Sequence, residues 1–275
     1  MRISINEIKD MKQKGEKITM LTAYDYITAG IIDEVGVPLT LVGDSLGMVV
    51  LGYPSTIPVT IDEMLHHTKA VVRGTGRTIV IGDMPFMTYS NISDAQRNAA
   101  RFIQEAGAQT VKLEGGVNMA ETVRSIVSCG IPVMGHIGLT PQSINQLGGF
   151  KVQGKSDEAA ARLLEDARAL EQAGAFAVVL ETVPAPLATL ITRTISIPTI
   201  GIGAGVGCDG QVQVISDILG LFTDFVPKHA KQYARLAEAS RAAITEYVRE
   251  VKDGTFPTEQ QSFSMDESIL DRLTK

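Results

Sequence analysis

The sequence predicts an α/β fold, a single-domain (βα)8 TIM barrel of parallel strands, and three observations carry that reading. The chain has 275 residues, and such a barrel typically needs roughly 250. A segment recurs: Ala106-Gly107-Ala108-Gln109-Thr110-Val111-Lys112-Leu113-Glu114 returns as Ala173-Gly174-Ala175-Phe176-Ala177-Val178-Val179-Leu180-Glu181. Short, nearly continuous apolar runs then alternate with helical patterns along the chain, the signature of parallel strands joined by right-handed crossovers. An open doubly wound sheet also fits the alternation, but the number of units over one chain of this length favours closure.

Taken in order, the first strand candidate spans Ile18 to Asp25. Gly36-Val37-Pro38 leads into the second, Leu39 to Asp44. Thr60-Ile61-Asp62-Glu63 has the form of a capping box, which opens a helix by satisfying its free N–H groups. Arg77-Thr78 leads into Ile79 to Asp83. Asn91 to Ala106 carries Ala95, Ala99, Phe102, Ile103 and Ala106 at helical spacing. Gly107 follows where a helix end favours a residue tolerant of positive φ, and the strand ending at Glu114 comes next. Gly130-Ile131-Pro132 introduces Val133 to His136. Ser156-Asp157-Glu158 caps a helix whose buried stripe is Leu163, Ala167 and Leu170. Gly174 repeats the role of Gly107 ahead of the strand ending at Glu181. Ile197-Pro198 leads into Thr199 to Gly203, and Gln211 to Ser216 completes the series.

Two segments fall outside the repeat. Gly138 to Lys155 is a long Gly- and Gln-rich connection of the kind that forms functional lids. The barrel domain is expected over residues 1–255, with residues 256–275 a polar C-terminal tail or arm.

Composition removes several function classes. With 25 Lys and Arg against 31 Asp and Glu, the net charge is −6, and no basic cluster suits a phosphate backbone. No apolar run is long enough to span a bilayer. Met1 to Ile5 lacks the apolar stretch of a signal peptide. Cys129 and Cys208 have no metal-motif spacing; reduced cytoplasmic thiols are favoured over the alternative, a disulfide between them.

Barrel chemistry sits at the carboxyl ends of the strands. The polar residues there read Asp25, Asp44, Asp83, Glu114, His136, Glu181, a Gly-rich turn (Gly201 to Gly207) and Asp217. A buried core does not choose so many acids, because an unpaired buried carboxylate is costly and a bound cation offsets the repulsion. Asp44, Asp83 and Glu114 lie on consecutive strands, spaced to converge on one hard cation such as Mg²⁺ or Mn²⁺. Taken singly, each reads equally well as a helix cap. Lys112, two residues before Glu114, faces the same way and suits a substrate carboxylate or enolate oxygen; the alternative is an outward or merely ion-paired lysine. Glu181 suits a general base, against a plain capping role. His136 binds substrate or is a satisfied structural histidine. His66 and His67, adjacent on a helix, read as structural. Gly205 to Gly210 matches G-x-G-x-x-G but lies late in the chain and before a strand, so it is a weak nucleotide signal.

With those residues in place, the sequence resembles the ketopantoate hydroxymethyltransferase family. The matching stretches are Leu21 to Tyr26, Val42 to Met48, Asp83 to Met87, Val111 to Gly116, Gly135 to Ser143, Lys151 to Gly154 and Ile200 to Gly205, in family order. The likeness spans most of the chain, apart from the far C-terminal tail. The resemblance implies a cytoplasmic homodecameric barrel enzyme of pantothenate biosynthesis. It implies Mg²⁺, the 2-oxo acid 3-methyl-2-oxobutanoate, 5,10-methylenetetrahydrofolate as one-carbon donor and 2-dehydropantoate as product. Carried over by motif, Asp44 and Asp83 are metal ligands with Glu114 beside them. Asp44, Ser45, Asp83 and Lys112 contact the oxo acid, with His136 added from its strand-end position, and Glu181 is the proton acceptor. Two other readings stand against this one. A Mg²⁺-dependent oxo-acid lyase or mutase of the isocitrate lyase type would place a catalytic cysteine in a Lys-rich loop, a setting that neither cysteine has. A non-catalytic barrel binding an anionic metabolite would have no need of intact acid, lysine and base positions.

Overall fold

The computed structural model describes residues 2–273. Eight parallel strands close into a barrel in sequence order, β8 pairing with β1. They are β1 (Ile18–Thr22), β2 (Leu39–Val42), β3 (Ile79–Asp83), β4 (Thr110–Glu114), β5 (Val133–Gly138), β6 (Ala177–Glu181), β7 (Thr199–Ile202) and β8 (Gly210–Gln213). The helices are α1 (Ile5–Lys14), α2 (Tyr26–Val35), α3 (Leu46–Val49), α4 (Ile61–Gly74), α5 (Ile92–Gln104), α6 (Ala120–Ser128), α7 (Ile144–Leu147), α8 (Asp157–Gln172), α9 (Ala185–Thr194), α10 (Ile215–Ile218), α11 (Leu236–Asp253) and α12 (Ser268–Leu273). Among the described residues no helix is long and apolar enough to cross a membrane.

The local chemistry behaves as the sequence predicts. Thr60 and Glu63 form the reciprocal capping box of α4, with Thr60 N–H donating to Glu63 Oε2 at 2.7 Å. Asn91 and Ser156 cap α5 and α8, and α8 buries Leu163, Ala167 and Leu170. Gly107 and Gly174 adopt φ of 76° and 95°, the left-handed conformation that lets the chain leave a helix and enter a strand.

Side-chain parity divides the interior into two cores. Ile18, Met20, Leu39, Leu41, Ile79, Ile81, Met134, Val179, Ile200 and Val212 fill the barrel itself. The alternate residues, such as Val42, Val80, Val111, Val133, Val178 and Leu180, pack outward with the surrounding helices. The same parity carries Asp83, Lys112, Glu114, His136 and Glu181 inward, one layer above the apolar plug.

The structure adds three things. Helix α1, opened by the capping box Ser4–Glu7, buries Ile8 against the inner core. Its Lys12 pairs with Asp209 at 2.9 Å and donates to the carbonyls of Thr192 and Ile197. The signal Ser4-x-x-Glu7 was present in the sequence. Second, no helix separates β7 from β8. A four-residue strand rises only ~13 Å, so the turn of residues 203–209 returns the chain unaided. Asp209 fixes that turn by accepting from Thr199 N–H and Oγ1. The Gly-rich turn is therefore structural, and Gly203 to Gly207 do not line the cavity described below. Third, α11 has no buried residue, and Ile244, Tyr247, Val248 and Val251 stand exposed on it.

Candidate active site

The polar layer opens into a cavity of ≈ 560 Å³ at the carboxyl ends of the strands. Asp44, Ser45, Asp83, Lys112, Glu114, His136 and Glu181 all line it. The candidate metal, substrate and base residues are thus brought together. Two other strand-tip acids behave differently. Asp25 lies past the end of β1 and caps α2, its carboxylate accepting from Thr28 N–H at 2.8 Å. Asp217 reaches the cavity from α10 rather than from a strand. Burial alone raises its carboxyl to about 6. Of the two helical histidines, His66 is exposed and His67 contacts the Tyr24 carbonyl through Nδ1 at 2.6 Å.

β3 and β4 place Asp83 directly beside Lys112 in register. Lys112 Nζ donates to Asp83 Oδ1 at 2.7 Å, and both side chains are almost fully buried. Burial works against the ammonium, but Asp83, Glu114 and Asp44 outweigh it and hold the lysine firmly charged. Asp83 Oδ2 accepts from the Asp44 N–H at 3.2 Å. The Asp44 carboxyl lies well above the usual carboxylate range, first through burial and then through the charges of Asp83 and Glu114. Ser45 bonds the Tyr24 hydroxyl at 2.9 Å.

β5 places His136 between two glutamates. Its Nδ1 is 3.4 Å from Glu114 Oε1 and its Nε2 is 3.2 Å from Glu181 Oε2. Burial and the Lys112 charge oppose its protonation, yet the flanking glutamates prevail and raise it to about 9. Neither contact has hydrogen-bond geometry, so Glu114 Oε1 and both ring nitrogens lack hydrogen-bond partners. Glu181 is more accessible than Asp44, Asp83, Lys112, Glu114 and His136, and Thr182 follows it at φ 51°. A β-branched residue in that region is strained by ~1–3 kcal/mol, and such strain is found at functional sites.

Sequence reasoning missed Gln142, Tyr89 and His229. Gln142 is buried beneath the carboxylates, donating to Asp44 Oδ2 at 2.9 Å and to the Met84 carbonyl at 3.0 Å. It lies within one of the stretches that carry the resemblance, but nothing local directs its side chain inward. His229 lines the cavity from the segment after α10.

A hard cation has suitable donors here: all-oxygen carboxylates, an elevated Asp44 carboxyl and the unpartnered Glu114 Oε1. Among the described residues no three His, Cys, Asp or Glu side chains are gathered as a ready ligand set. Lys112 already occupies one oxygen of Asp83. Mg²⁺ commonly takes one or two carboxylates and completes its shell with water and substrate, so a partial protein set still fits it.

Fold and site together define a (βα)8-barrel enzyme with an acid-rich, lysine-bearing cavity opposed by a glutamate. A sequence model of the family described as ketopantoate hydroxymethyltransferase matches residues 2–259. The 3-methyl-2-oxobutanoate hydroxymethyltransferase of Dehalococcoides mccartyi is 65% identical over 276 residues, covering 100% of this chain and 98% of its own. Those of Syntrophus aciditrophicus (60%, covering 95% of this chain and 97% of its own) and Chloroflexus aurantiacus (58%, covering 98% and 96%) are similar throughout. The chain belongs to the ketopantoate hydroxymethyltransferase family. Among solved structures, a phosphonopyruvate hydrolase superposes with a TM-score of 0.61 at 12% identity, covering 100% of this chain and 95% of its own. A 2,3-dimethylmalate lyase of the PEP mutase/isocitrate lyase superfamily gives 0.59 at 16%, with full coverage of both chains. At such identities the likeness is one of fold alone.

Proposed function

We propose that the enzyme transfers a hydroxymethyl group from 5,10-methylenetetrahydrofolate to 3-methyl-2-oxobutanoate, with Mg²⁺ as cofactor, giving 2-dehydropantoate in pantothenate biosynthesis. The observation that carries this reading is that Glu181 shares one cavity with the cluster of Asp44, Asp83, Lys112 and Glu114, with His136 standing between Glu181 and Glu114. Asp44 and Asp83 would hold Mg²⁺, with Glu114 Oε1 free to bond its water shell. When bound, the metal supplies polarisation of the ketone and so acidifies the neighbouring C–H. Lys112 and Ser45 bind and orient the oxo acid. The fixed charge of Lys112 stabilises the negative charge that develops on the ketone oxygen. Glu181 removes the C3 proton, and His136, protonated below about 9, holds the carboxylate toward the substrate. The donor's methylene carbon is transferred with one water: both of its C–N bonds break, the activated C3 carbon forms the new C–C bond to it, and the water oxygen becomes its hydroxyl. Tetrahydrofolate leaves with the C3 proton and one proton of that water on its two nitrogens. The loop of residues 138–155 limits the entry of further water. The cavity exceeds what a five-carbon acid needs, which supports a second substrate alongside it.

The exposed apolar faces of α11 and of α2, where Ile27, Ile31 and Val35 are bare, support a homo-oligomer. On the family's pattern we take it to be a cytoplasmic decamer.

Proton NMR of 3-methyl-2-oxobutanoate in D₂O tests the chemistry. Loss of the C3 signal with Mg²⁺, its retention with EDTA, and its retention by Glu181→Gln are expected. Full turnover by Glu181→Gln with Mg²⁺ bound refutes the base assignment.

A further inference from the structure

The loop after β5 is fastened to both halves of the cavity. On the base side, Leu139 N–H donates to the Glu181 carbonyl at 2.9 Å and Gln153 N–H donates to the Thr182 carbonyl at 3.0 Å. On the acid side, among the described residues, the fastening is through Gln142. Its backbone N–H donates to Glu114 Oε2 at 3.0 Å. Its side-chain NH₂ donates to Asp44 Oδ2 and to the Met84 carbonyl. Both of those partners are acceptors, so only the NH₂ end of the amide can face them. Tyr89 fixes that choice by donating its O–H to Gln142 Oε1 at 2.5 Å. The same hydroxyl stands 3.4 Å from the Glu114 N–H. Tyr89 and Gln142 are both buried, and the amide is bonded at its oxygen and at both hydrogens.

We propose that Gln142, oriented by Tyr89, is a positioning residue that ties the loop of residues 138–155 to Asp44 and Glu114. The closed position of the loop and the arrangement of the two carboxylates then form one coupled state. Whatever stabilises the carboxylate arrangement closes the loop, and release of the loop frees the carboxylates to turn. The metal arm of the test rests on the function proposed above; the loop arm does not.

The test compares wild type, Gln142→Leu and Tyr89→Phe. Tyr89→Phe keeps the buried ring and removes only the hydroxyl, so it serves if Gln142→Leu misfolds. The first measurement is the affinity for Mn²⁺ alone, followed by EPR. Loss of a partner that orients a metal ligand costs about 10- to 100-fold in affinity, and that loss is expected for Gln142→Leu, with a smaller loss for Tyr89→Phe. The second measurement is the rate of tryptic cleavage at Lys151 and Lys155, both exposed within the loop. Cleavage is expected to rise about tenfold in Gln142→Leu, and Mn²⁺ is expected to slow it in wild type but far less in the variant. Unchanged affinity and unchanged cleavage in both folded variants overturn the proposal. If wild type binds no Mn²⁺, the metal reading falls. The loop arm then decides alone: faster cleavage sustains the coupling and unchanged cleavage refutes it.

Discussion

Replacing Lys112 by Met tests the electrostatic design of the site directly. The ammonium is buried and bonded to Asp83, and it faces Asp44 and Glu114. Its removal keeps most of the side-chain volume but takes the ammonium from Asp83 and Asp44 and leaves Glu114 only the His136 imidazolium. Removing one partner of a buried pair costs about 3–5 kcal/mol. Asp44, already pushed far up, can take a proton and relieve part of that cost, so the lower end applies. For a chain of this size ~3 kcal/mol corresponds to a fall in Tm of about 6–12 °C. The lysine's pKa is raised on folding, so its contribution is fully present below the ordinary lysine value. It is lost only as pH rises through the folded value, and is therefore constant from pH 6 to 9. In the variant Asp44, already raised, loses the ammonium that lowers it, so the folded state takes up a proton there and the deficit shrinks on acidification. The assay is thermal unfolding followed by circular dichroism in EDTA at pH 8 and pH 5, for wild type, Lys112→Met, Asp83→Asn and the double variant. Removing both partners costs far less than removing one, so the double variant is expected to recover much of the loss. A double variant as unstable as the sum of the single ones, or a fall in Tm below ~2 °C for Lys112→Met, would falsify the argument.

Three further outcomes are expected. The His136 imidazolium, raised to about 9, contributes stability that is full below about 6.5 and is lost as pH rises through about 9. Melts of His136→Asn across pH 6–10 should lack that decline, and a decline as steep as wild type's would count against the Glu114–His136–Glu181 contacts. Asp217 is raised to about 6 by burial, so its ionisation costs stability above that pH and the cost disappears as pH falls toward 4. Asp217→Asn should therefore melt ~2 °C or more above wild type at pH 8 and level with it near pH 4. At Gly82 an added Cβ would lie 2.3 Å from Phe102 Cδ1. Gly82→Ala should destabilise by about 1–3 kcal/mol, and Phe102→Leu in the same chain should restore part of that in urea unfolding.

Much of this protein was legible in the chain itself. The repeat of Ala106–Glu114 in Ala173–Glu181 located two strands and the glycines that start them, because helix exit and strand entry are local backbone events. Period-two parity sent Lys112 and Glu114 to one side of β4, and that side is the cavity. Capping at Thr60 and Ser156 was readable for the same reason: each cap bonds an N–H three residues ahead. Asp25 shows where local reasoning stops. An acid just past a strand end is equally suited to cap the next helix or to face the cavity, and the three-residue separation between the end of β1 and Asp25 decided for the cap.

Tertiary structure alone decided the partners. Sequence parity put Lys112 on the same side as Glu114, but only the barrel register supplies its ion partner, Asp83 on the adjacent strand. Gln142 reaches Asp44, 98 positions away in sequence, and no local pattern can encode a contact whose geometry exists only once eight strands have closed. The direct β7–β8 turn and the bare surface of α11 are of the same kind. Sequence periodicity determines which side of its own element a residue occupies; only barrel closure determines which residue of another element it meets there.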